Sequence, residues 1–162
     1  MKIALAADHA GFGLKTAVAD YLKRRGIAFV DFGCGPGETV DYVDYAARAA
    51  ESVVSGACDR AILFCGTGIG MAVAANKFRG IRAAPCWNPH IASISRRHND
   101  SNCLALGGRV LTCEEALAIV ESWLEAPFEG GRHERRVSKI TALEKANFKN
   151  RNRRTRHVLT ER

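Results

Sequence analysis

Residues 61–77 read Ala61-Ile-Leu-Phe-Cys-Gly-Thr-Gly-Ile-Gly-Met-Ala-Val-Ala-Ala-Asn-Lys77, an order of residue types that predicts a strand, a tight turn and a helix. The apolar run ending at Cys65 is a buried strand, the glycines at 66, 68 and 70 bend the backbone, and the alanine-rich segment after them is helical. Glycines so closely spaced leave several N–H groups unpaired at the positive end of the helix, an arrangement that binds anions. Cys65 stands directly before this turn, and a thiol at a helix N-terminus has its pKa drawn down from about 8.5 toward neutrality. One short loop thus offers a base beside a stabiliser of negative charge. From the loop alone, an inert buried thiol that ends a strand explains Cys65 equally well.

Two familiar glycine motifs are excluded. The dinucleotide fingerprint needs its third glycine where Met71 stands, and an acidic residue about twenty positions on, where the chain reads Pro85-Cys-Trp-Asn-Pro-His90. A nucleotide P-loop needs Gly-Lys-Ser/Thr at the helix start, and none is present. Neither NAD nor ATP is indicated.

Outward from this stretch, strands and helices alternate. Lys2 to Ala7 is a strand; Leu14, Ala17, Val18, Tyr21 and Leu22 form a helical stripe closed by Arg24-Arg25-Gly26; Ala28 to Phe32 is a second strand. A helix from Tyr45 to Val54 precedes the central strand, whose own helix runs to about Lys77. Ile81 to Pro85 is a strand, Asn88-Pro89 caps a helix to His98, Cys103 to Leu106 is the fifth strand, and Thr112-Cys-Glu-Glu115 is a capping box. A last helix follows Gly130-Gly131. Five strands alternating with helices predict a doubly wound, three-layer α/β/α Rossmann-like domain with a five-stranded parallel sheet and a C-terminal helix. Ligands in such sheets sit beyond the carboxyl ends of the strands. Asp8-His9, Asp41-Tyr42, Cys65 to Gly70 and Gly107-Gly108-Arg109 occupy those ends, whereas His98-Asn99 follows a helix and belongs to the opposite edge or to another subunit.

At 162 residues the chain is one domain's worth. The N-terminus reads as a strand rather than a signal sequence and no apolar stretch approaches membrane length, which predicts a cytoplasmic protein with no membrane partner. Six cysteines without a Cys-x-x-Cys pair or matching histidines suggest reduced thiols rather than a zinc site or disulfides. The net charge of +7 is not spread over the fold: residues 1–131 carry 13 Lys/Arg against 14 Asp/Glu, and residues 132–162 carry 11 against 3. A basic C-terminal tail over 150–162, solvated and mobile, is expected after a folded domain over 1–149. Nucleic acid is a weaker reading of that tail.

Taken together, these residues resemble the B-type ribose-5-phosphate isomerases of the ribose/galactose sugar-phosphate isomerase family. The likeness rests on Ala7-Asp-His-Ala-Gly-Phe12 with Lys15, Asp41-Tyr42, Cys65 to Gly70, Ala74 to Arg82, Arg97-His-Asn-Asp100, Gly107 to Val110 and Gly130 to Arg136, in order from residue 1 to about 147. The resemblance implies that Cys65 moves a proton between C1 and C2, while Gly66, Thr67, Gly68, Ile69 and Gly70 hold the enediolate oxygens. It implies that His98 opens the furanose ring with Asp8 nearby, that Tyr42 and Asn99 contact the sugar, and that His9, Arg109, Arg132 and Arg136 bind phosphate. It implies no metal and no cofactor, and a homodimer, or a pair of dimers, with sites shared between subunits. Some members use a glutamate base just after the glycine loop; Met71 stands there, so the role falls to Cys65. Val43 stands where the family usually has proline, which predicts a looser loop around Tyr42. Two other readings remain open from the sequence: an isomerase of a six-carbon sugar phosphate such as allose or galactose 6-phosphate, and a non-catalytic sugar-phosphate-binding module, which has no use for both Cys65 and His98.

Overall fold

A computed structural model describes the backbone of residues 1–158 and the side chains of residues 1–148. Its elements run β1 (Lys2–Ala7), α1 (Phe12–Arg24), β2 (Ala28–Asp31), α2 (Tyr42–Val54), β3 (Arg60–Cys65), α3 (Ile69–Ala75), β4 (Ala83–Pro85), α4 (Pro89–Asn99), β5 (Cys103–Gly107), α5 (Cys113–Glu125) and α6 (Arg132–Val158). The five strands form one parallel sheet in the order β2-β1-β3-β5-β4.

Alternation along the central strands sorts side chains by size. Ile3, Leu5, Ile62, Phe64, Leu104 and Leu106 face Leu14, Val18 and Leu22 of α1 and Ile119, Val120 and Trp123 of α5. Ala4, Ala6, Ala61, Cys103 and Ala105, with Leu63 the one bulky exception, face Ala46, Ala49 and Ala50 of α2 and Met71, Ala72 and Ala75 of α3. Small residues on both sides let α2 lie close to the sheet, while bulky ones fill the wider gap opposite. Both faces are covered, so β5 and the stretches of β1 and β3 beyond Lys2 and Arg60 are buried and apolar.

Three boundaries differ from the sequence reading by about two residues or more. α2 begins at Tyr42 rather than Tyr45 because Asp41 caps it, its carboxylate accepting the Val43 N–H at 2.9 Å. Val43 supplies the donor that this cap uses, an N–H that proline at this position would lack. α3 ends at Ala75 because the Asn76 amide turns to bridge the main chain of Ala83 in both directions, at 2.9 and 2.8 Å. β4 begins at Ala83, since Ile81 closes a turn on Phe78 and Arg82 is taken up by Asn102.

Two polar clusters brace the ends of the sheet. Buried Lys15 of α1 places Nζ 2.8 Å from Asp31 and 3.1 Å from the Cys34 carbonyl, fixing the loop that leads to Tyr42. At the other end Asp100, the C-cap of α4 at φ 47°, binds Arg82 at 2.6 Å and Arg96 at 2.8 Å. The backbone of α6 continues across the expected boundary at 149/150; the side chains of the expected mobile tail, and residues 159–162 altogether, lie outside the described residues. No helix among the described residues is long and apolar enough to cross a membrane.

Candidate active site

Connections leave β1 and β3 toward opposite edges of the sheet, so the crevice between their carboxyl ends is the topological switch point. Asp8 and Cys65 stand there side by side. The Asp8 N–H donates to the Phe64 carbonyl at 3.1 Å, and the Asp8 carboxylate is fixed by accepting the N–H groups of Ala10 at 2.9 Å and Gly11 at 3.0 Å. The helix cap itself falls to Gly11, so Asp8 closes a turn before α1 and does not cap it. His9 is exposed beside it.

Cys65 is buried at the end of β3, and its Sγ accepts the Gly68 N–H at 3.2 Å. Gly68 adopts φ +80°, the left-handed conformation that aims its N–H back at the sulfur. Burial pushes two other thiols up, Cys86 to about 11 and Cys103 to about 12. Thr67 is exposed, its Oγ1 accepting the Ile69 N–H at 3.4 Å.

The β5–α5 turn closes the other side of the crevice. Gly108 and Arg109 donate their N–H groups to the carbonyls of Cys65 at 2.7 Å and Gly66 at 3.0 Å. The Arg109 side chain then lies over Gly66, where a Cβ would come 3.4 Å from Arg109 Cδ. Tyr42 packs on Gly70, whose absent Cβ would sit 2.8 Å from Tyr42 Cε2. Ten of the sequence-derived residues therefore meet in one place: Asp8, His9, Tyr42, Cys65 to Gly70 and Arg109.

The other four lie elsewhere. α4 runs antiparallel to the strands, so His98 and Asn99, in its last turn, sit at the amino ends of β4 and β5, where the Asn99 carbonyl accepts Arg82 Nε at 3.1 Å. β5 alone, five residues at about 3.3 Å each, separates that edge from Cys65 by on the order of 15 Å. Arg132 and Arg136 lie exposed on the first two turns of α6, near His98 rather than Cys65.

Two residues in this second cluster escaped the sequence reading. His133 is buried and stacks on His98, ring centroids 4.0 Å apart and 5° from parallel. Glu129 approaches His98 Nε2 at 3.4 Å and His133 Nε2 at 3.7 Å. The i,i+4 spacing of Glu129 and His133 was the available signal, but Glu129 precedes the helix and has no helical partner face to read. The Arg97 guanidinium holds the Glu129 carboxyl below its usual range, and burial, with His98, Arg132 and Arg136 nearby, pulls His133 below its own.

Among the described residues, His98, Glu129 and His133 are the one group with donor atoms close enough for a metal, all within 4.8 Å. Their chemistry does not suit one. Glu129 is engaged by Arg97 at 2.7 Å, His133 Nε2 accepts Arg132 Nε at 3.2 Å, and parallel rings do not converge their lone pairs. The surrounding arginines favour an anion.

Comparison with known proteins agrees with this geometry. The family profile described as Ribose/Galactose Isomerase matches residues 3–140. Ribose-5-phosphate isomerase B of Escherichia coli (strain K12) is 50% identical over 143 residues, covering 88% of this chain and 96% of that protein. The solved ribose-5-phosphate isomerase B of Clostridium thermocellum superposes with a TM-score of 0.89 at 53% identity, covering 91% of this chain and 99% of that one. The Mycoplasma genitalium ribose-5-phosphate isomerase B, solved with bound ribulose-5-phosphate, gives a TM-score of 0.83 at 40% identity, with coverage of 89% and 96%. The chain belongs to the ribose/galactose isomerase family.

Proposed function

We propose that the chain is a ribose-5-phosphate isomerase that interconverts ribose 5-phosphate and ribulose 5-phosphate through an enediolate. The observation that carries this is Cys65 at the switch point, its sulfur held by the Gly68 N–H and its carbonyl by Gly108. The same N–H that steadies a thiolate belongs to the loop facing the substrate. As the proton leaves C2, the N–H groups of the loop meet the charge that develops on the oxygens, each such donor typically worth about 3 kcal/mol. Thr67 and Asp8 stand within the crevice to exchange protons with these oxygens. The relatives' names, and the ribulose-5-phosphate bound in one of them, support this substrate.

Ring opening requires an acid/base on the other side of the sugar, and His98 has the chemistry for it near neutrality. His98 cannot reach Cys65 within one chain, so a second copy supplies it, with Asn99, Arg132 and Arg136, across a two-fold interface. Exposed apolar side chains beside the crevice, Ile69, Val73, Trp87 and Val110, and Ile140 and Leu143 on α6, support burial against such a copy. His9 and Arg109 meet the phosphate from the Cys65 side.

Mixing two inactive variants tests the arrangement. In a heterodimer of Cys65→Ala with His98→Asn, one site carries both lesions and the other carries none. Re-associating equal amounts should restore about a quarter of wild-type activity for an isologous pair. No recovery from correctly formed heterodimers would overturn the shared site.

A further inference from the structure

The second cluster is built around His98 more closely than ring opening by an isolated histidine would require. Glu129 is tied to α4 twice: its N–H donates to the Arg97 carbonyl at 3.0 Å, and its carboxylate Oε1 receives Arg97 Nε at 2.7 Å. The other oxygen, Oε2, faces His98 Nε2 at 3.4 Å. Against the face of the His98 ring lies the His133 ring, itself buried and fixed by the Arg132 guanidinium at 3.2 Å.

This arrangement restricts His98 in two independent ways. A parallel ring at 4.0 Å removes rotation out of the plane, and an anchored carboxylate at the ring edge selects the orientation within it. The His133 Nε2 lone pair is itself committed to Arg132, so the stacked ring is held from its own far edge. The charged groups around the pair are Arg97 on α4, Glu129 before α6, and Arg132 and Arg136 on α6; the α5 side of α4 carries Trp123 against Arg96.

We propose that Glu129 and His133 are positioning residues for His98, the carboxylate and the stacked ring together holding the imidazole in the orientation that ring opening uses. The inference rests on the reading of His98 as the ring-opening group. It differs from that reading in assigning work to two residues that touch neither the reacting carbons nor Cys65.

The test uses the full-length dimer and two reactions. Turnover of cyclic ribose 5-phosphate needs ring opening, whereas exchange of the ketose C1 proton of ribulose 5-phosphate with solvent deuterium needs only Cys65 and its loop. Glu129→Gln and His133→Ala should each slow the first at least tenfold in kcat, with KM and the exchange rate within about threefold of wild type. Glu129→Asp and His133→Phe, which keep a carboxylate and a flat ring, should recover part of the loss. In a His98→Asn background neither substitution should slow cyclic turnover further, because residues that act through His98 are silent once it is gone.

Equal loss of exchange and turnover would mean a structural or phosphate-binding role and overturn the proposal, as would full effects persisting without His98. Full cyclic turnover in His98→Asn itself would instead remove the underlying assignment. If His98→Asn is crippled while Glu129→Gln and His133→Ala run at wild-type rates, only the positioning inference fails.

Discussion

The N–H of Gly68 reaches back to Cys65 Sγ at 3.2 Å, so the sulfur is held by the loop that follows it rather than by a separate base. Asp8, the nearest acid across the crevice, spends its Oδ1 on two N–H groups of its own turn. This arrangement supports the proposed role of Cys65 as the base.

Cys65→Ala should lower kcat by about a thousandfold or more while leaving KM within tenfold, because the loop donors and phosphate contacts remain. Deuterium exchange at C1 of the ketose should disappear with it. A variant that still isomerises at near wild-type rate would move the base elsewhere.

Exhaustive dialysis against EDTA should leave the rate unchanged, since in the one donor trio close enough for a cation among the described residues Glu129 and His133 are already engaged by arginines. Activity lost on dialysis and regained with Zn²⁺ or Mn²⁺ would show the trio does bind metal.

The crevice walls touch through backbone. A Cβ on Gly108 would collide with the Ala10 carbonyl, whereas one on Gly13, in the first turn of α1, meets nothing within 4 Å. Gly108→Ala should therefore destabilise by roughly 1–3 kcal/mol and lower kcat as the Asp8 turn shifts. Gly13→Ala should stabilise by about 0.5–1 kcal/mol with activity intact. Denaturant melts that rank the two the other way would contradict the packing.

His133 is lowered in the fold by burial and by neighbouring cations, so below about pH 6.5 the unfolded chain takes up a proton that the folded chain refuses. Stability conferred by its neutral form is present above that pH and drains away as pH falls toward the folded value. The melting-temperature advantage of wild type over His133→Gln should accordingly shrink between pH 8 and pH 5.5. Parallel curves would show that His133 protonates equally well in both states.

Arg132→Ala and Arg136→Ala should each raise KM for ribose 5-phosphate about tenfold or more, the loss of one charge-assisted contact to phosphate; kcat should change less in Arg136→Ala, whereas Arg132→Ala also frees the His133 ring and should lower kcat. An unphosphorylated sugar analogue should be indifferent to Arg136→Ala. A fall in kcat at constant KM in Arg136→Ala would place that arginine on the reacting atoms instead.

Much of this was legible in the chain. The strand–glycine–helix order around Cys65, the capping box at Thr112 and the Asn88-Pro89 start each appear as the residues predict, because local backbone chemistry decides them. What was hidden depended on contacts distant in sequence. The early start of α2 needed Asp41 to find Val43, β4 was shortened by Asn102 reaching Arg82 from twenty residues away, and Glu129 joined His98 only because Arg97 draws it onto α4. His133 looked like one more polar residue in a basic helix, since nothing in its neighbours' spelling says that a second imidazole will lie flat against it.

Asp100 is the one described residue other than glycine held at positive φ, a conformation that costs a residue with a Cβ on the order of 1 kcal/mol. Glycine would relax the backbone there but would release Arg82 and Arg96, both gripped by its carboxylate. Asparagine would keep the turn and lose the charge. Neither replacement satisfies both demands, so this helix end is a compromise: mild backbone discomfort is tolerated two residues from His98, and in return the last turn of α4 is riveted to the strands beside it.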